Sequence, residues 1–102
     1  MKLIQDLSYM IEDEIDGAEE YAKMALKLKD ERPQLAQTFH NLASEELRHV
    51  DILHDEVVRV INDYRNAGNE VPADMQAVYD YIHQKQIDHV HDVKMYLEQY
   101  KG

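Results

Sequence analysis

The sequence predicts an all-α fold of three long helices, and three observations predict it. Turn-forming residues cluster at two places, Asp30-Glu31-Arg32-Pro33 and Asn66-Ala67-Gly68-Asn69-Glu70-Val71-Pro72, in a chain of 102 residues with three Gly and two Pro. The segments between these clusters repeat apolar residues at helical spacing. No strand-like alternation and no low-complexity tract competes.

Helix 1 is expected from about Leu3 to Leu28, helix 2 from about Pro33 to Tyr64 and helix 3 from about Pro72 to Tyr100, in one domain spanning residues 1–102. Pro33 suits a first helical turn, where its missing N–H would be unpaired anyway. At ~1.5 Å per residue the helices are ~40 to 48 Å long. Three amphipathic rods of that length leave a seam that a second chain can cover, so a homodimer or larger homo-oligomer is expected.

Composition narrows the function. The net charge is −10, from 21 acidic and 11 basic residues, which repels phosphate backbones and anionic bilayers, so neither nucleic acid nor membrane is an expected partner. With no Cys, disulfides, thiolate metal sites and thiol nucleophiles are excluded, and carboxylate and imidazole are the strong ligands left. Met1 to Asp6 holds one Lys and no apolar signal-like run, and no stretch approaches membrane-spanning length. An intracellular protein is expected, in the cytoplasm or inside a cytoplasmic protein compartment.

Each apolar stripe contains polar intruders. On a wheel of about 100° per residue, helix 1 reads Leu7, Ile11, Glu14, Ala18, Tyr21, Ala25, Leu28. Helix 2 reads Leu35, Phe39, Leu42, Glu46, His49, Leu53, Val57, Val60, and helix 3 reads Met75, Tyr79, Ile82, Gln86, His89, Val93, Tyr96, Tyr100. Glu46 and His49 form a Glu-x-x-His, three apart on one face. Counted from the turns at ~1.5 Å per residue, Glu14, Glu46, His49 and His89 all fall in one layer of the core. An unpaired carboxylate buried there costs several kcal/mol or takes up a proton, and a divalent cation compensates it directly.

A single polar residue in a stripe is more often a register device or a satisfied core group, and that reading stands beside the ligand reading for His89. Glu12, Asp13, Glu19 and Glu20 read as a solvated acidic face, Glu45 and Glu56 as flanking carboxylates, and His83 and Asp92 as solvated stripe-edge groups. His40, His54 and His91 are expected to point away from the stripes. Tyr21, seven residues after Glu14, either packs or acts near a metal through a hydrogen bond or electron transfer.

Glu14, with Tyr21 seven residues on, then Glu46-Leu47-Arg48-His49 after an antiparallel turn, resembles the first helical hairpin of ferritin-like di-iron carboxylate proteins of the rubrerythrin and bacterioferritin type. The resemblance covers roughly Leu3 to Tyr64. Full-length members have a second hairpin with another Glu and Glu-x-x-His, where helix 3 here offers Asp88-His89-Val90-His91. Encapsulated ferritins, which are similarly short, complete their site from two copies. The resemblance therefore implies a ferritin-like hairpin plus third helix that completes a four-helix bundle by dimerisation, with a di-iron centre from four Glu and two His. Glu14, Glu46 and His49 are the ligands it carries over; His89 is an additional ligand suggested by the wheel and the layer count, not by the resemblance.

It further implies ferroxidase chemistry, the oxidation of Fe(II) by O₂ or peroxide, with a compartment shell protein as a partner. Ligand type equally admits manganese. A metal-free structural or adaptor protein, its polar layer setting dimer register, and a diffusible metal buffer are the alternatives.

Overall fold

In a computed structural model, which describes residues 1–102, the chain forms α1 (Lys2–Leu28), α2 (Pro33–Asn66) and α3 (Ala73–Lys101), with no strand. The helix ends lie within two residues of those read from the turn formers. After α1 the chain reverses over four residues; the Arg32 N–H donates to the Leu28 carbonyl at 2.8 Å, and Pro33 opens α2. Gly68 ends α2 with φ of 88°, a left-handed conformation open to a residue without a Cβ. Pro72 then caps α3.

The arrangement has α1 in the middle. Helices α2 and α3 both pack along α1, and they meet each other through side chains, His54 on His83 and Tyr100 on His40, rather than through close backbone approach. The buried line of α1 is Ile11, Ile15, Ala18, Ala22 and Ala25, a four-three-four-three spacing that keeps one seam facing its neighbours. On α2 the buried residues, Ala36, Ala43, Val50 and Val57, fall every seventh position, and α3 adds Gln86 and Val93, also seven apart. Five of these residues are alanines with no accessible surface, which let helix backbones approach closely.

Ile11, Ala18, Ala25, Val57, Gln86 and Val93 of the expected stripes are buried, and elsewhere the seam shifts by one residue. Ile15, Ala22, Ala43 and Val50 are buried, while their expected neighbours Glu14, Tyr21, Leu42 and His49 are only half-buried at the edge. Leu35 and Met75, expected inside, are 42% exposed. At Ala36 and Ala43 the small side chain lets the helices approach more closely than Leu35 or Leu42 would.

The molecule is a rod of 57 × 18 × 18 Å with a radius of gyration of 16.5 Å, against about 13 Å for a compact chain of this size. Only 11 of its residues are buried, and Leu3, Tyr9, Met10, Leu35, Ile52 and Met95 are among the large apolar side chains left exposed. No helix is long and apolar enough to cross a membrane.

Candidate metal centre

Glu14 projects from α1, and Glu46 and His49 project from α2 one turn apart, so the antiparallel hairpin brings three ligand-type side chains to one level. His49 Nδ1 lies 3.3 Å from Glu14 Oε2 and 3.9 Å from Glu46 Oε1. One donor atom from each of the three residues lies within 4.8 Å of the others. The side chains keep 29%, 24% and 43% of their surface for Glu14, Glu46 and His49, so the cluster opens on one side. Gly17, one turn beyond Glu14, faces Glu46: a Cβ there would stand 3.5 Å from Glu46 Oε2.

The two carboxylates are close enough to disturb one another. The Glu14 carboxylate beside it, then burial, raises the pKa of Glu46 above the ordinary carboxylate value, against the smaller lowering influence of His49. A divalent cation relieves this like-charge crowding and releases any proton held by the pair. Hard carboxylate oxygens with a borderline imidazole nitrogen suit iron or manganese.

Tyr21 lies two turns of α1 beyond Glu14, half-buried, with its ring stacked on Phe39 at 5.9 Å. His89 does not join the Glu14 group, contrary to the layer count. Its Nε2 contacts Glu19 Oε2, and it gathers with Glu12 and Asp16. The layer count compared heights only. Glu12 and Asp16 bracket Glu14 in height but lie on the opposite edge of the buried line of α1, toward α3 rather than α2. Glu12 and Glu19, read as solvated, thus border α3; their i, i+7 spacing with Asp16 between was the available signal. Gly17 was also passed over, although a glycine inside a long helix next to a candidate ligand is informative.

The remaining residues divide. His40 and His54 do not point away to solvent: His40 stacks on Tyr100 and His54 on His83, and both His40 nitrogens and His54 Nε2 are buried without a hydrogen-bond partner. Glu45 and His91 are exposed, and Glu56 pairs with Arg59 at 3.3 Å.

The family model described as Rubrerythrin matches residues 6–99. A search of the curated proteins and a search of the solved structures each returned no match. The match spans all three helices, and the chain belongs to the rubrerythrin family, within the ferritin-like di-iron carboxylate superfamily.

Proposed function

On the premise of that membership, we propose that this chain is a di-iron ferroxidase whose metal site is shared between two copies. The observation that carries this reading is the Glu14–Glu46–His49 cluster: three convergent donors from two helices, open on one side. Two Glu and one His make half of a di-metal carboxylate set, and a two-fold axis at the open side supplies the other half.

The surface around the opening supports a second copy. Met10 and Leu3, four and eleven residues before Glu14, share its face of α1 and are 52% and 51% exposed. Leu35 and Leu42 precede His49 by fourteen and seven residues on one line of α2, and Leu35 is exposed. The apolar surface is thus wider than the contact inside one chain, and a partner hairpin laid on it gives a four-helix bundle with the carboxylates enclosed.

In this reading Fe(II) is the substrate. Glu14 and Glu46 supply the negative charge that draws the ions in and favours the ferric state, and His49 holds a nitrogen donor at the same point. Two Fe(II) release two electrons, which reduce O₂ with two protons to hydrogen peroxide, or peroxide to water. Tyr21, stacked on Phe39 two turns from the ligands, is the residue to examine for a hydrogen-bond or electron-transfer role near the metal. Manganese meets the same donors and is the second metal to assay.

The test is iron content of the purified protein, then anaerobic Fe(II) titration and oxygen uptake for wild type, Glu46→Ala and Glu14→Ala. About one iron per chain is expected, two for each pair of copies, with oxidation lost in both variants while the apo chains keep their helical signal. Iron binding without accelerated oxidation makes the chain a buffer. Indifference to chelator, with no metal in either protein, makes the polar layer a packing device and the chain an interaction module.

A further inference from the structure

A second group of ligand-type side chains gathers on the other edge of α1. Glu12, Asp16 and Glu19 lie within about 60° of one another around the helix. Helix α3 runs along this edge and presents His89, whose Nε2 contacts Glu19 although the two are 70 residues apart. Donor atoms of Glu12, Asp16 and His89 lie within 4.8 Å of one another. Lys23 occupies the other Glu19 oxygen at 2.7 Å, so one of the three carboxylates is neutralised. Glu12 and Asp16 take part in no ion pair.

We propose that Glu12, Asp16 and His89, with Glu19 holding the imidazole, form a second divalent-cation site, separate from the Glu14 cluster, that fastens α3 to α1. The set is more than an acidic patch, because an imidazole from a different helix closes it. Two carboxylates and one imidazole nitrogen suit a first-row divalent cation. All four residues belong to one chain, so this site does not depend on a second copy.

Its position gives the cation a mechanical effect. Helix α3 buries only Gln86 and Val93, and Gln86 donates from Nε2 to the Ser8 carbonyl at 3.2 Å. His89 lies between these two anchors on the same face. A cation bound there joins the middle of α3 to α1, the helix that α3 packs along most closely. It also neutralises the uncompensated charge of Glu12 and Asp16 in a chain of net charge −10.

The experiment uses Mn(II), which is stable in air and readable by electron paramagnetic resonance, with the Glu14→Ala/His49→Ala protein, from which the first cluster has been removed. One Mn(II) per chain is expected to bind, with slower amide exchange along α3. His89→Ala in that background is expected to weaken binding about tenfold or more, the scale of losing even an outer partner of a ligand. Because His89→Ala also removes the Glu19 contact, Glu12→Gln/Asp16→Asn is tested in parallel; it keeps that pair and is expected to lose the cation. No Mn(II) binding to the Glu14→Ala/His49→Ala protein overturns the proposal, as does binding indifferent to both sets of substitutions. Binding without added protection of α3 overturns the fastening role. If the background variant loses its helical signal, wild type is titrated: two Mn(II) per chain support the proposal and one overturns it.

Discussion

Replacing Gly17 with alanine separates helix stability from the room the metal cluster needs. Gly17 lies in the interior of α1, outside the left-handed region, so alanine meets no backbone strain there. A glycine in a helix interior costs about 0.5–1 kcal/mol relative to alanine, because it loses more conformational freedom on folding. The added Cβ would stand 3.5 Å from Glu46 Oε2 and 3.9 Å from its Cδ, which is ordinary van der Waals contact and costs little. The net expectation is a gain of about 0.5–1 kcal/mol. At about 4–8 °C per kcal/mol for a domain of this size, Tm rises by roughly 2–8 °C. The assay is a far-ultraviolet circular dichroism melt of the metal-free protein, at one chain concentration for both proteins because association would also shift Tm. Iron titration should give an unchanged endpoint. A fall in Tm refutes the reasoning and means that the Glu46 carboxylate needs the bare backbone. A rise in Tm with iron binding lost refutes its second half and means that the carboxylate moves into that space on loading.

Three other outcomes are expected. Glu46 is raised above 4.5 in the folded chain by the neighbouring Glu14 carboxylate and by burial, so the fold holds that proton more tightly than the unfolded chain does. Metal-free stability should therefore increase as pH falls through the folded pKa toward 4.5, and Glu46→Gln should flatten this part of a pH series of melts. His83 is lowered from 6.5 by burial, then by His54. Its contribution is complete above 6.5 and is lost as pH falls below that through the folded value; His83→Phe, which keeps the stack, should remove that acid sensitivity, with proton magnetic resonance of the imidazoles as the check. Ile15 has no accessible surface, and Ile15→Ala should cost about 2–5 kcal/mol in a denaturant titration, through lost burial and the cavity left behind.

The three helices were legible because the punctuation is sparse. With two turn clusters and long uninterrupted periodic segments, hydrogen bonding leaves little choice but helix. The cluster was legible too, since Glu-x-x-His and an antiparallel turn fix relative height. Azimuth was not. Glu12 and Asp16 bracket Glu14 in height, yet only the direction in which α3 leaves the second turn decides whether His89 meets them or Glu14. The expected stripes on α1 and α2 were also incomplete, because Ile15, Ala22, Ala36, Ala43 and Val50 fill contacts they left out while Leu35 remains on the outer surface. Hydrophobicity alone does not distinguish a side chain facing its own chain from one facing a partner.

The central position of α1 also dictates an order of assembly. The contacts of α1 with α2 form across a short reversal, so little chain entropy opposes the hairpin. The ties of α3 to α1 join residues 70 and 78 apart, so they close a longer loop and form after the hairpin. On the ribosome the same sequence holds, since the N-terminal part emerges first. Glu14, Glu46 and His49 can thus meet while α3 is still being made, and the nascent chain has its ligand cluster before its last helix has anywhere to dock.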